Sequence, residues 1–193
     1  MSVLDRLTPT ADDLSPFRGV LVPTYIDYCR NVSRRSMAIS VETAAYLAWV
    51  CATTSPTRTC DLGSGFTSYV LQSFPATATS VDDDPVWLGR TREFLERSGR
   101  PVDGLVEWVD WQAGSDTYDL IIHDFARGDL RNTSMWEAAE RLNPGGVLIF
   151  DDAQHDGHAA EMRKVADFHG WEIVDLHDIT VDLVGRFAMG AHA

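Results

Sequence analysis

Positive charge is what this sequence has least of. Its 193 residues carry 16 Lys and Arg against 29 Asp and Glu, for a formal net charge of -13 and a pI near 4.7. A surface of that sign is repelled by phosphate backbones and anionic lipid, so neither nucleic acid nor membrane is an expected partner. Arg34-Arg35 is the obvious seed of any local basic patch. Cysteine is scarce as well. Cys29, Cys51 and Cys60 are odd in number and widely spaced, which excludes a disulfide framework or a zinc knuckle and implies reduced thiols. The start, MSVLDRLTPTADD, lacks the basic and apolar regions of a secretory leader. No run is long and apolar enough to span a bilayer, and a cytoplasmic location is expected. Internal repeats and low-complexity linkers are absent too. The expected organisation is one domain, with residues 1–39 as an N-terminal cap or lid segment and 40–193 as the core.

What is present is a rhythm. The first forty residues are mixed, with a helix of unclear limits around LVPTYIDYCRNVSRRSMA. Ser40 then caps a predicted helix, SVETAAYLAWVCATT. After Pro56, apolar strands and amphipathic helices alternate. RTCDLGS, TATSVDDD, GLVEWVD, YDLIIHDF, GVLIFDD, WEIVDLHDI and LVGRFAMGA read as strands. TSYVLQSF, PVWLGRTREFLERSG, NTSMWEAAERLN and GHAAEMRKVADFHG read as helices. This order implies an α/β fold: a doubly wound, Rossmann-like sheet of about seven strands, mostly parallel, with helices on both faces. Ligands in such sheets bind at the carboxyl ends of the strands, where strand order reverses.

The predicted strands end in acids: Asp61, Asp82, Asp110, Asp124, and the pair Asp151-Asp152. Adjacent carboxylates repel, and burying either is costly without a positive neighbour. Two accounts stand side by side. The acids could cap the following helices, or they could converge on one functional rim. Gly63 and Gly65 in CDLGSGFTSYVL allow close approach to the backbone, with Ser64 between them. The full dinucleotide fingerprint G-x-G-x-x-G is not met, which makes a dinucleotide-dependent oxidoreductase the least expected enzyme. The acidic clusters at 12–13 and 82–84 lack the loop spacing of an EF-hand.

DLGSG, VDDDP, YDLIIHDF and LNPGGVLIFDD, taken in order, resemble the class I S-adenosylmethionine-dependent methyltransferases, from about Ser40 to the C-terminus. The resemblance implies an antiparallel last strand. It implies S-adenosylmethionine as cofactor, with Asp61, Gly63, Ser64 and Gly65 by the methionine part. Asp82, with Asp83 and Asp84 as near alternatives, would take the ribose hydroxyls, and Asp110, Trp111 and Gln112 would edge the adenine. The family's third glycine is missing, with Thr67 near its place. A shorter similarity points to the metal-dependent O-methyltransferases of the catechol, caffeoyl-CoA and macrocin type. There Asp124, Asp151 and Asp152 would hold Mg²⁺, and RSMAISVETAAYL, with Ser40, is similar to the segment that covers the cofactor. Three carboxylates suit a hard divalent cation, which would offset their repulsion and lower the pKa of an acceptor hydroxyl. That branch carries a basic Lys three residues after the fourth-strand Asp, where this chain has Arg127. Arginine stays protonated and cannot be a base, although it could hold an anionic substrate. His155 is then the preferred base, ahead of His123 and His158; each could equally be a surface or hydrogen-bonded histidine. Most tryptophans read as core.

The expected function is methyl transfer from S-adenosylmethionine to an oxygen of a small molecule, assisted by Mg²⁺, with a homodimer among the allowed assemblies. A metal-independent N- or O-methyltransferase and a non-catalytic S-adenosylmethionine-binding protein remain open alternatives.

Overall fold

The computed structural model describes residues 7–125 and 128–193. Two helices precede the sheet, α1 (Ala11–Asn31) and α2 (Val41–Thr54). The strands are β1 (Arg58–Leu62), β2 (Thr77–Asp82), β3 (Leu105–Glu107), β4 (Tyr118–His123), β5 (Leu142–Phe150), β6 (Glu172–Asp175) and β7 (Met189–His192). Between them run α3 (Phe66–Leu71), α4 (Pro85–Arg97), α5 (Trp108–Ala113), α6 (Asp129–Glu140), α7 (Asp156–His169) and α8 (His177–Thr180). None of the described helices is long and apolar enough to cross a membrane.

The strands form one sheet in the order β3-β2-β1-β4-β5-β7-β6. β1 to β5 pair in parallel, and β7 runs antiparallel to both β5 and β6. β1 lies between β2 and β4, so the order reverses there and a crevice opens at the carboxyl ends of the strands. Alternation along the strands splits the core in two. Leu120, Ile122, Val147 and Ile149 face α1, α2 and α3. Ile121, Leu148 and Phe150 face the other side, with Trp108, Met135, Met162 and Val165.

Three local expectations needed correction. The N-terminal helix is longer than its sequence suggested and contains both Pro16 and Pro23. Each proline forfeits one main-chain hydrogen bond. The helix holds because Leu14, Leu21, Tyr25 and Tyr28 recur on one buried face, and because Thr10 and Asp13 close a capping box at its start. The predicted strand GLVEWVD stops at Glu107 and turns into α5. Trp108 and Trp111 are three residues apart, so a helix buries both on one side, with ring centroids 5.0 Å apart. The predicted strand WEIVDLHDI likewise ends at Asp175, whose side chain accepts the His177 N–H as α8 begins.

The turn after β1 positions the site. Gly63 has φ +104°, and a Cβ there would lie 2.2 Å from the main-chain carbonyl oxygen of Asp124. A Cβ on Gly65 would lie 2.6 Å from the Tyr28 hydroxyl. Both glycines are therefore demanded by the protein's own packing, before any ligand is considered. Gly63→Ala combines backbone strain with a main-chain collision and should cost at least about 2 kcal/mol, read as a lower urea midpoint. A variant as stable as wild type would contradict this packing.

Candidate active site

The carboxyl ends of β1, β2, β4 and β5 open into one cleft of about 1290 Å³. Its lining includes Gly63, Ser64, Gly65, Asp82, Asp83, Asp124, Asp151, Asp152, His155 and His158, with Tyr28 and residues 30–34 and 36–39 reaching over from the N-terminal segment.

Asp61 is not part of that lining. It is fully buried beneath the glycine turn, where it accepts the Ser68 hydroxyl at 2.6 Å while Ser68 accepts the Gly65 N–H at 3.0 Å. Burial pushes its carboxyl well above the ordinary range, with Ser68 opposing. Asp61 shapes the turn from below instead of standing on the rim. Asp82 is held by the same turn: it accepts the Ser64 N–H at 3.0 Å, the Ser64 hydroxyl at 3.1 Å and the Asp84 N–H at 3.1 Å. Burial raises it to about 6 against these hydrogen bonds. Asp83 is exposed on the cleft wall. Asp84 is the N-cap of α4, accepting the Val86 N–H at 2.9 Å.

Two further candidates lie away from the cleft lining. Asp110 lies exposed on α5, not at a strand end, and does not line the cleft. Trp111 is core, its indole N–H donating to the Tyr118 hydroxyl at 3.1 Å and its ring covered by Arg141 at 3.9 Å. The early end of β3 takes both away from the rim. Ser40 is a buried N-cap that accepts the Thr43 N–H at 2.9 Å and is also absent from the lining. Its reach is indirect, since the Thr43 hydroxyl donates to Asp151 Oδ1 at 3.4 Å. Arg127 lies outside the described residues.

At the ends of β4 and β5 the carboxylates do converge. Asp124, Asp151 and Asp152 each offer an oxygen within 4.8 Å of the others. Asp152 has φ 60°, a strained conformation for a residue with a side chain. A positive group is already there. Arg131, 4 % exposed, donates to the Asp151 main-chain carbonyl at 3.0 Å. It stands 3.6 Å from Asp124 Oδ1 and 3.7 Å from Asp152 Oδ2. Burial raises Asp124 to about 7, with Arg131 opposing and Asp152 adding repulsion. Asp151 is pushed well above the ordinary range by burial and by both neighbouring acids.

The donor set fits a divalent cation. Fully ionised, three carboxylates less one guanidinium would carry a formal charge of about -2, which a divalent cation would balance. Arg131 spends its short hydrogen bond on a main-chain carbonyl, leaving carboxylate oxygens for ligation.

The histidines separate clearly. His123 is fully buried. Ser134 gives its one hydroxyl proton to the Arg131 carbonyl at 2.9 Å, so His123 donates to Ser134 through Nε2 at 2.8 Å. Burial and Arg131 hold its pKa well below the usual value. It supports Arg131 and does not face the cleft. His155 is exposed at the N-cap position of α7 and lines the cleft. His158 packs against it with ring centroids 5.3 Å apart, and its pKa is lowered by burial, Arg131 and His155.

No family model matches the sequence, and no curated protein matches it. Solved structures do. The O-methyltransferase from Bacillus cereus in complex with SAH superposes with a TM-score of 0.64 over 99% of this chain and 95% of that one, at 14% identity. The O-methyltransferase TomG from Streptomyces achromogenes, involved in tomaymycin synthesis and solved with SAM, gives 0.66 over 93% and 88%, also at 14% identity. The SAH-bound methyltransferase PaMTH1 from Podospora anserina gives 0.66 over 95% and 88%, at 13% identity. The chain has the fold of the class I methyltransferases.

On that methyltransferase fold, several site residues were not singled out from sequence. Arg131 left a signal: it shares the buried face of α6 with Met135 and Ala138, an arginine in phase with apolar positions. Arg186 lines the cleft from the loop before β7, held by Asp182 at 2.8 Å and donating to the Ala38 carbonyl at 2.8 Å. No spacing rule connects it to the site. Trp87, read as core, lines the cleft and donates its indole N–H to the Ser64 carbonyl at 2.5 Å.

Asp82 has a measurable signature. Its folded pKa lies above the ordinary unfolded value near 3.9, so its contribution to stability is complete in acid and is lost as pH rises through about 6. A carbon-detected titration of its carboxyl should have a midpoint near 6. Stability relative to Asp82→Asn should fall between about pH 4 and pH 6 and level off above about pH 7. A midpoint near 4 would show that the carboxyl is solvated.

Proposed function

We propose that the protein transfers a methyl group from S-adenosylmethionine to an oxygen of a small molecule, with a divalent cation such as Mg²⁺ at the acidic cluster. The convergence of Asp124, Asp151 and Asp152 beside the glycine turn carries this reading. The O-methyltransferases among the similar folds support it by analogy alone.

In this reading Gly63, Ser64 and Gly65 present main chain to the methionine part of the cofactor, and Asp82 receives the ribose hydroxyls. Asp83 on the wall is the second candidate there. The acids of the cleft suit a cationic sulfonium. Asp124, Asp151 and Asp152 hold the cation, which when bound lowers the pKa of an acceptor hydroxyl. His155 at the mouth accepts the proton. Arg131 keeps the three carboxylates from repelling one another outright. Alignment of nucleophile, methyl carbon and sulfur is the remaining task of the cleft walls.

One observation favours a second reading. Arg131 already supplies a cation to the cluster, so methyl transfer without metal is the alternative. Melting temperature separates the two. Mg²⁺ binding to the native state should raise it with concentration in wild type, by mass action, and much less in Asp151→Asn. If wild type gains nothing and a chelator leaves methyl transfer intact, the cluster works through Arg131 alone.

The cofactor and base assignments are tested apart from the metal. Asp82→Ala should weaken S-adenosylhomocysteine binding by about 1–3 kcal/mol in calorimetry. His155→Ala should lower kcat far more than cofactor affinity. Undiminished kcat in that variant would remove His155 from the chemistry.

A further inference from the structure

The cleft has two electrical ends. Its floor is the acidic cluster, but its mouth collects arginines. Arg30 comes from the last turn of α1, Arg34 from the segment after it, and Arg90 from α4; all three line the cleft. A smaller hollow of about 390 Å³ shares Asn31, Val32 and Arg90 with the cleft and adds Arg97 and Glu93. In a chain of net charge -13, four arginines from α1, the segment after it and α4 gather around these two adjoining hollows and outnumber the three exposed acids that line them, Asp83, Asp84 and Glu93. Among the described residues, none of the four forms an ion pair with a carboxylate. Arg90 instead lies over the Trp87 ring at 5.6 Å, and all four are exposed. Arg30 at a helix C-terminus also complements the helix dipole; that accounts for one arginine and not for the group.

We propose that this mouth binds an anionic oxygen group, phosphoryl or carboxylate, carried by the methyl acceptor. The proposal rests on the methyl-transfer reading and adds the acceptor's charge class to it. Guanidinium forks match the geometry of such oxyanions. The cofactor carries a single carboxylate, for which one cation suffices, so four guanidinium groups exceed its need. An anionic acceptor would be repelled by the protein as a whole and by the acidic floor. A basic mouth draws in its charged end and leaves its hydroxyl to reach the floor.

Calorimetry with inorganic pyrophosphate tests this on the full chain, with S-adenosylhomocysteine titrated in parallel. Wild type should bind pyrophosphate, more weakly as salt rises. The double variant Arg34→Gln/Arg90→Gln should lose roughly tenfold or more in that affinity while retaining wild-type affinity for S-adenosylhomocysteine. Arg163→Gln, on the exposed face of α7 away from the cleft, should change neither. Absence of pyrophosphate binding to wild type, or equal binding in the double variant, overturns the proposal. So does a parallel loss of S-adenosylhomocysteine affinity, which would assign the arginines to the cofactor's carboxylate. Wild type that binds pyrophosphate as expected but no S-adenosylhomocysteine overturns the assignment to a methyl acceptor and sinks the methyl-transfer reading with it.

Discussion

The missing side chain at Gly63 lets the ends of β1 and β4 meet. Its α-carbon faces the Asp124 carbonyl so closely that a Cβ would stand 2.2 Å from the oxygen. The contact is tied on both sides. The Asp124 N–H donates to the Leu62 carbonyl at 2.7 Å, and the Gly63 and Ser64 N–H groups donate to the Val81 carbonyl at 2.9 and 3.1 Å. These bonds draw the ends of β2, β1 and β4 into one rim. The turn that receives Asp82 and the strand end that carries Asp124 therefore open into the same cleft. Asp61 braces the turn from below through Ser68, and Tyr28 closes it from above.

Electrostatics sets the second constraint. Four acids in and beneath this rim, Asp61, Asp82, Asp124 and Asp151, are raised above their ordinary range, and burial is the largest cause in each case. A rim of that kind is tolerated only with compensation. Serine hydroxyls and main-chain N–H groups serve Asp61 and Asp82. Arg131 serves the cluster at β4 and β5, and its main-chain carbonyl accepts the Ser134 hydroxyl that His123 also bonds. The same logic separates the two ends of the cleft: cations are needed at the floor to hold acids together, and among the described residues the arginines at the mouth form no ion pair.

The distinction between floor and mouth explains why the histidines differ. His123 is sealed in the core as a donor to Ser134, whereas His155 is exposed at the start of α7. Sequence preferred His155 to His123 as a base without any measure of their access to solvent. Burial separates them: the His123 ring is held neutral by its surroundings and lies off the cleft, whereas His155 lines it.

The alternation of strands and helices, the glycine turn and the acids at the ends of β1, β2, β4 and β5 were all legible in the sequence, because period-2 and period-3.6 patterns and turn residues act over a few neighbouring positions. Nearly every strand was found this way, and the rule that parallel strands share one carboxyl edge brought the strand-end acids together, while the grouping of Asp124 with Asp151 and Asp152 was implied by the family resemblance. The tertiary structure decided what depends on partners far away in the chain. Trp108 and Trp111 turned a predicted strand into a helix because both rings bury together. Asp61 went beneath the turn and Asp110 to the surface. Arg186, separated from Ala38 by 148 residues, came to hold its carbonyl. Arg131, Trp87 and the arginines of the mouth gained their roles only when separate elements packed around one cleft. Local pattern determines which elements form and which face is apolar; long-range packing determines which polar groups share a space, and so which charges must be balanced there.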